Sequence, residues 1–122
     1  MENHSVTKYR AVLVPFPFDD LSSSKVRPAV CLTNPIGPHR HIILAFITSR
    51  ISPSPLPTDL VLQPGDSDFA VTGLRVSSTL QLHRLMTATT TLIKRVLGHL
   101  SPKLQAETNN RLLKLFDLAE SV

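Results

Sequence analysis

The stretch HIILAFIT, residues 41–48, is the part of the sequence that decides the fold. Its six central residues are all apolar, and β-branched side chains recur along it. A short apolar run of this kind, without the spacing of an amphipathic helix, is typical of a strand buried on both faces. We therefore predict a buried strand over residues 41–48.

Two further strands are predicted before this one. Residues 11–18 (AVLVPFPF) form an apolar run in which the two prolines confine the strand to a sheet edge or a bend. A polar stretch, residues 19–25 (DDLSSSK), has the composition of a hairpin loop. The run RPAVCLT, residues 27–33, then predicts a second strand, which the turn residues NPIGP at 34–38 should end.

After residue 48 the strands become shorter. The segment SPSPLP, residues 52–57, cannot join a hydrogen-bonded ladder and is predicted to be an exposed loop. Strand-like pieces follow at residues 58–62, 69–72, 77–82 and 85–91. The stretch LMTATTTLIKRVLG, residues 85–98, also has the features of a helical turn at one of its ends.

The C-terminal segment predicts a helix. Ser101 is a hydroxyl N-cap and Pro102 suits the first helical position. The apolar side chains beyond it fall on one helical face: Leu104, Leu112, Leu115, Phe116 and Ala119. About six short strands and one helix predict a mainly β (α+β) fold, a small curled β-barrel with a C-terminal α-helix, in a single domain over residues 1–122.

The composition is that of a folded domain. Of the 122 residues, 42% are hydrophobic and 18% are charged, which argues against a disordered chain. No apolar run is long enough to span a membrane and the N-terminus lacks the features of a signal peptide, so we expect a cytoplasmic protein. The single cysteine, Cys31, lies in an apolar run and is predicted to be a buried thiol.

Charge and aromatic content limit the partners. A formal net charge of +4 is compatible with a polyanionic partner but is also common in proteins without one. Aromatic residues make up only 5% of the chain and Trp is absent, so the protein has few side chains on which nucleic-acid bases could stack. Any nucleic acid would have to be bound through its phosphates and grooves.

Most familiar enzyme motifs are missing from the sequence. It has no P-loop, no glycine-rich dinucleotide turn, no G-x-S-x-G and no paired cysteines. His39 and His41 form an H-x-H pair without the further ligands that a metal site needs, so neither a metal nor another cofactor is predicted. Two polar groups stand where strands meet loops: Lys25 with Arg27, and the triplet Thr48-Ser49-Arg50.

These groups lie in strings that resemble the MazF/PemK toxin family. The string VLVPFPFDDLSSSKVRPAVCLTN, residues 12–34, followed by ILAFITSRI, residues 43–51, has that family's apolar strand, polar loop, Arg-Pro pair and Thr-Ser strand end. The likeness continues through Gly73-Leu74 and Ser77-Ser78 to the closing LGHLSP at residues 97–102. It is strongest for the PemK-like subtype and spans nearly the whole chain.

Two positions depart from the family's pattern. Tyr9-Arg10 replaces the usual Gly-Asp or Gly-Glu before the first strand, which predicts a different turn there. His83 stands where many relatives have an acidic residue. This second departure leaves the general base open between His83 and the aspartates Asp19 and Asp20.

The resemblance implies a fold and an activity. It implies an SH3-like barrel of the CcdB/MazF/Kid type that forms a homodimer, cuts single-stranded RNA at preferred sequences without a metal ion, and is silenced by a cognate antitoxin. It implies that Arg27 and Thr48 are catalytic. It also implies that Lys25, Ser49, Ser78, His83 and Arg84 contact the RNA substrate.

Two other functions remain open from the sequence. A CcdB-like toxin that binds DNA gyrase shares the same barrel, and a fold by itself does not fix a function. A remnant that binds RNA or antitoxin without cutting is the other possibility. A ribonuclease needs a phosphate site, here an arginine with a threonine, whereas a CcdB-like toxin needs no such site. This difference distinguishes the two functions.

Overall fold

The computed structural model of the chain describes residues 5–15 and 25–118, which fold into six strands followed by one helix. The strands are β1 (Arg10–Pro15), β2 (Val26–Cys31), β3 (His41–Thr48), β4 (Asp59–Leu62), β5 (Ser78–Thr89) and β6 (Arg95–His99). The helix is α1 (Pro102–Leu115), and two short 3-10 turns lie at Ala70–Thr72 and Thr90–Leu92.

All six strands belong to one antiparallel sheet. Their order is β4-β5-β3-β2-β1-β6, so β4 and β6 are the edges of the sheet in the described part of the chain. The sheet is curled into a half-barrel rather than closed by a ladder between those edges. The predicted fold class, a small curled β structure with a C-terminal helix, is confirmed.

Strand β3 is buried on both faces, as its apolar run predicts. Ile42, Leu44 and Phe46 belong to a core cluster with the apolar side chains of β1. Ala45 and Ile47, which point to the other face, belong to a second cluster with β4, β5 and the helix. A sheet that is packed on both faces fixes the register of its central strand firmly, because a slip by one residue would exchange the two sets.

The helix begins as predicted. The Ser101 hydroxyl oxygen accepts a hydrogen bond from the Leu104 amide at 3.2 Å, and Pro102 is the first helical residue. Leu104 is buried and Leu112 packs against the core, whereas Phe116, just beyond the helix, is exposed. Ala119 lies outside the described residues. No helix in the described ranges is long and apolar enough to cross a membrane.

Three predicted strands are corrected by the structure. The predicted strand 69–72 is a 3-10 turn over Ala70–Thr72, because Gly73 has a left-handed φ of 75° and the Thr72 hydroxyl donates to the Phe69 carbonyl at 2.6 Å. The pieces predicted at 77–82 and 85–91 are joined into one long strand, β5, which ends at Thr89, and residues 90–91 belong to the second 3-10 turn. Strand β6 was not predicted, because its sequence RVLGH is half-buried and lacks an alternating pattern. Residues 16–18 of the first predicted strand lie outside the described residues.

The turn before β1 accommodates Tyr9 at the position where the resemblance leads us to expect glycine. Tyr9 has a φ of 70°, a left-handed conformation that glycine adopts more readily. Its amide donates to the Cys31 carbonyl at 2.7 Å and its own carbonyl accepts from the Leu100 amide at 2.9 Å. The phenol hydroxyl also donates to Asn109 Oδ1 at 2.9 Å. These contacts offset a conformational cost of about 1 kcal/mol.

Two glycines let the 3-10 turn at residues 70–72 pack directly on β6. A Cβ atom on Gly73 would lie 2.1 Å from the Leu97 carbonyl oxygen, and one on Gly98 would lie 2.1 Å from the Val71 carbonyl oxygen. Neither position has room for a side chain. This contact therefore holds the segment 73–76 against the edge strand β6.

Candidate functional site

A groove of about 630 Å³ crosses the curled sheet at the ends of its strands. Its walls come from β1, β2, β3, β5 and β6 and from the segment 73–76. Leu13, Pro28 and Phe46 supply apolar surface in it. Most of the other side chains that line it are polar or charged.

Positive charge dominates the groove. Its described lining holds five arginines and no Asp or Glu: the arginines are Arg27, Arg50, Arg75, Arg84 and Arg95. We call this cavity the arginine groove. A cleft lined by one sign of charge concentrates the field and attracts ligands of the opposite sign.

Arg27 lies in β2, opposite Val14 of β1, where the hairpin of these two strands approaches residues 16–24. Its side chain is exposed and lines the arginine groove. The ladder with β1 fixes the backbone of the Arg-Pro pair, because Pro28 is paired with Leu13 next to the pair of Arg27 and Val14. The guanidinium group is thus carried by a rigid strand, and its planar fork matches two oxygens of a phosphate.

Thr48 ends β3 and also lines the groove. Its hydroxyl oxygen accepts a hydrogen bond from the Arg50 amide at 3.1 Å, which turns the chain at Ser49. This bond uses a lone pair of the oxygen and leaves the hydroxyl proton available for donation into the groove. Ser49 is exposed beside it. The structure therefore brings Arg27, Thr48 and Ser49 together in one cavity.

Ser78, at the start of β5, lines the groove from the other side. It is 3% exposed, and its hydroxyl donates to the Val76 carbonyl at 2.9 Å. The proton of this hydroxyl is therefore committed to the backbone. Ser78 shapes the segment 73–76 and offers the groove only an acceptor oxygen.

Strand β5 has a bulge that contains both His83 and Arg84. Phe46 of β3 is opposite Gln81, whereas Ala45 is opposite Leu85, so the residues between them bulge out of the ladder. Gln81 and Arg84 both line the groove as a result. Strict alternation would have put Gln81 and His83 on one face. Gln81 also has a buried side-chain oxygen with no hydrogen-bond partner among the described residues.

His83 points elsewhere. It is not part of the groove lining, and its Nδ1 lies 3.9 Å from Oδ1 of Asp59, at the start of β4. Lys25 is exposed and does not line the groove either. The structure thus brings together Arg27, Thr48, Ser49, Ser78 and Arg84 and leaves His83 and Lys25 outside. Asp19 and Asp20 lie outside the described residues.

Sequence reasoning missed Gln81, Arg75 and Arg95. Arg75 lies between the 3-10 turn and β5, and Arg95 is the first residue of β6. An isolated arginine in a loop or at the start of a short strand has no local pattern that separates it from a solvent-facing residue. The close approach of Gly73 to Leu97 holds the segment of Arg75 against β6, and both arginines line the groove.

The structure also bears on the cysteine and on metal binding. Burial raises the pKa of the Cys31 thiol to about 12, despite an opposing effect of Arg10, so the thiol is protonated at neutral pH and is a poor nucleophile. The prediction of a buried thiol is confirmed. Within the described ranges, no three His, Cys, Asp or Glu side chains form a group that could hold a metal ion.

Most of the sequence matches one family of toxins. A family model described as PemK-like, MazF-like toxin of type II toxin-antitoxin system matches residues 8–116. No curated protein matches the sequence significantly. The matched residues contain the whole groove and all six strands.

Solved structures of such toxins share the fold. "Mycobacterium tuberculosis toxin MazF-mt6" has a TM-score of 0.69 at 21% identity, over 91% of this chain and 99% of that one. An "Endoribonuclease in complex with its cognate antitoxin from Mycobacterial species" has a TM-score of 0.67 at 15% identity, over 95% and 99%. The MazE-MazF structure from Deinococcus radiodurans has a TM-score of 0.68 at 15% identity, over 96% and 100%.

Proposed function

Since the chain belongs to the PemK-like, MazF-like toxins of type II toxin-antitoxin systems, we propose that it is an endoribonuclease that cuts single-stranded RNA in the arginine groove. The observation that carries this proposal is the groove itself, with five arginines and no carboxylate in its described lining. The endoribonuclease activity named for a solved relative of the same fold supports it. The protein would act in the cytoplasm, as one domain over residues 1–122, and inhibit translation.

The chemistry needs little from the protein, because RNA carries its own nucleophile. The 2′-oxygen attacks the neighbouring phosphorus, the bond to the 5′-oxygen breaks, and the products are a 2′,3′-cyclic phosphate and a 5′-hydroxyl. Negative charge grows on the phosphate oxygens in the transition state. Fixed donors in a cleft that largely excludes water stabilise such charge strongly.

Arg27 and Thr48 are the catalytic residues in this proposal. Arg27 places a permanent charge and two donors at the phosphate, and Thr48 adds a neutral hydroxyl donor. Ser49, Ser78 and Arg84 line the same groove and position the RNA chain. Lys25, which is exposed outside the groove, adds positive charge for the RNA that approaches it.

Two protons have to move during this reaction. The proton of the 2′-hydroxyl passes to a base, and the leaving 5′-oxygen takes one from water. His83 lies outside the groove, with its Nδ1 3.9 Å from Oδ1 of Asp59, so we propose Asp19 or Asp20, the other candidates, as the base. By resemblance, Arg27 assists the leaving oxygen, which it does by donating a hydrogen bond to it.

The test is cleavage of a long RNA by the purified protein in the presence of EDTA, followed by mapping of the ends. We expect cuts at a few short sequences, with 2′,3′-cyclic phosphate and 5′-hydroxyl ends. Arg27→Ala should lower the cleavage rate at least ~100-fold with little loss of stability, because this side chain is exposed. Lys103→Ala, which removes the same charge outside the groove, is the matched control.

Two results would contradict the proposal. Intact RNA with the folded wild-type protein would favour a remnant or a gyrase-binding toxin. Equal cleavage by wild type and Arg27→Ala would place the reaction outside this groove.

We also propose that the protein forms a homodimer and binds a cognate antitoxin. Large apolar side chains remain exposed near the end of the helix, on β5 and in the 3-10 turn after it: Phe116, Leu118, Leu85 and Leu92. Such surface is typical of a contact between subunits or with a partner. The antitoxin named in the relative's complex supports the second partner. Sedimentation at tens of micromolar tests the dimer, and a monomer at that concentration would contradict it.

A further inference from the structure

The arginine groove contains one amide side chain in its described lining, that of Gln81. The five arginines can only donate hydrogen bonds, which suits the phosphates of an RNA chain. An amide carries an oxygen that accepts and a nitrogen that donates. The Gln81 oxygen can therefore bind a group that the arginines cannot, namely a hydrogen-bond donor of the RNA. The phosphates carry no such donor at neutral pH, whereas the edges of the bases do.

The position of Gln81 in the sheet gives it one apolar and one acidic neighbour. In the ladders of β5, Gln81 is opposite Phe46 of β3 on one side and opposite Asp59 of β4 on the other. Directly opposite side chains lie on the same face of a sheet, with their Cβ atoms about 5 Å apart. Phe46 also lines the groove, whereas Asp59 does not. The Gln81 amide can therefore contact the groove and the Asp59 carboxylate at once.

Two buried oxygen atoms of the Gln81–Asp59 pair lack a hydrogen bond. Neither Oε1 of Gln81 nor Oδ1 of Asp59 has a partner in the part of the chain that the structure describes. The Asp59 side chain is only 7% exposed, and its other oxygen, Oδ2, already accepts from the Leu56 amide at 2.9 Å. His83 Nδ1 is 3.9 Å from Oδ1, too far for a hydrogen bond. Both oxygen atoms therefore gain from any donor that reaches them, because a buried acceptor without one is costly.

A half-turn of the Gln81 amide about its last side-chain bond would give Asp59 its missing donor. This torsion has a broad, roughly two-fold profile, and the rotation exchanges the amide oxygen and nitrogen. The nitrogen would then donate to Oδ1 of Asp59, and the oxygen would turn toward the groove. Because the Leu56 amide holds the Asp59 carboxylate, the carboxylate would in turn hold the Gln81 amide in this orientation. The groove would gain a fixed acceptor.

We propose that Gln81, oriented by Asp59, is a specificity-determining residue that accepts a hydrogen bond from an N–H group of one RNA base. This inference rests on the proposed ribonuclease function and adds the recognition of a base to it. Phe46 supplies apolar surface next to the amide, which suits a flat base better than a sugar. Asp59 contacts no RNA and acts as a positioning residue.

The test uses RNA oligonucleotides that contain one mapped cleavage site. Each base near the cut is replaced in turn by an analogue that lacks its N–H donor, such as purine riboside in place of adenosine. For the wild type, one such replacement should lower kcat/KM about tenfold, the effect of losing one hydrogen bond. Gln81→Met keeps the length of the side chain and removes its polar atoms, so it should cut the parent RNA and this analogue with the same, lowered kcat/KM. Gln63→Met, at an exposed position outside the groove, is the matched control.

Asp59→Asn tests the positioning role. Asparagine keeps an oxygen that can accept from the Leu56 amide, but its nitrogen cannot accept a hydrogen bond from Gln81. The variant should therefore lose the preference for the same base as Gln81→Met, although the groove lining is unchanged. A merely structural role would lower kcat/KM for the parent RNA and the analogue alike and leave their ratio at the wild-type value. Circular dichroism and Tm verify that the variants are folded.

The outcomes separate this inference from the proposed function. If the folded wild type cuts none of the oligonucleotides, the ribonuclease proposal fails, and the inference fails with it. If the wild type cuts them, but Gln81→Met keeps the same base preference as Gln63→Met, the inference alone is wrong. A loss that appears only with a 2′-deoxy substitution away from the cut, and with no base analogue, would also overturn it, because Gln81 would then accept from a sugar hydroxyl.

Discussion

At the scale of single residues, the hydroxyl of Thr48 has two roles. It accepts from the Arg50 amide within the turn, and its proton is available to a ligand in the groove. Thr48→Ser keeps both roles, whereas Thr48→Val keeps the shape and removes both. We expect Thr48→Val to lower kcat about 100-fold and Thr48→Ser to stay near wild type. Cleavage rates measured at saturating RNA will test this.

A stability measurement is the control for these variants. The Arg50 amide is exposed, so water replaces the lost acceptor and the cost to folding should be small, roughly 1 kcal/mol or less. If Thr48→Val retains full kcat, the hydroxyl is only a turn residue and donates nothing to the transition state.

Cys31 gives the protein a specific dependence of stability on pH. The folded state holds the pKa of this thiol near 12, against an ordinary value of 9.0. Above pH 9 the unfolded chain loses this proton and the folded chain keeps it, so stability should fall as the pH rises toward 12. The contribution of this one group approaches about 1.4 kcal/mol per pH unit.

The measurement is urea unfolding of wild type and Cys31→Ala between pH 8 and a mildly alkaline limit, roughly pH 10.5. The other titrating groups are common to both proteins, so the difference between their slopes of unfolding free energy against pH is due to the thiol. The variant should lose less stability with rising pH than the wild type. If the unfolding free energies of the two proteins change in parallel with pH, the thiol ionises in the folded protein as it does in the unfolded chain.

At the scale of elements, the contact between the 3-10 turn and β6 holds the groove together. Gly73→Ala and Gly98→Ala each place a methyl group 2.1 Å from a backbone oxygen, so the two elements have to separate. We expect each to lower the free energy of unfolding by about 3 kcal/mol and to weaken RNA binding, because the segment 73–76, which lines the groove, moves away from β6. Thermal unfolding and binding of a non-cleavable 2′-deoxy oligonucleotide check both effects.

Gly65→Ala is the matched control for this pair. Nothing lies within 4 Å of a Cβ at Gly65, so this change should leave stability and binding nearly unaltered. If Gly73→Ala is as stable as Gly65→Ala, the turn and the strand are not packed as closely as the structure has them.

At the scale of the whole molecule, the positive groove should bring RNA and antitoxin into competition. The lining holds five arginines, so an acidic segment of the proposed antitoxin would complement the same surface that the phosphates of the proposed RNA substrate need. We expect the antitoxin to displace RNA from the toxin, and to do so less well at high salt. Titration of the neighbouring gene product against RNA-bound toxin at two ionic strengths measures this. A stable ternary complex with cleavage still suppressed would mean inhibition at a distance.

Some features of the protein were determined by the sequence alone, because they depend on neighbours along the chain. The two-faced burial of residues 41–48 follows from six consecutive apolar side chains, and the helix start follows from Ser101-Pro102. The thiol at Cys31 is buried because its whole run is apolar. The proposed pair Arg27 and Thr48 was found through resemblance, since a rim arginine or threonine has no chemical signature of its own.

Other features were decided only by the tertiary structure, because they depend on residues that are distant along the chain. The bulge opposite Ala45 and Phe46 turned His83 out of the groove and Arg84 into it, although alternation along the strand predicts otherwise. Strand β6 exists through its pairing with β1 rather than through a pattern of its own. The approach of Gly73 to β6 holds the segment that carries Arg75 against the strand that carries Arg95, and both arginines line the groove. Positions of this kind come from packing between elements, which no short window of sequence contains.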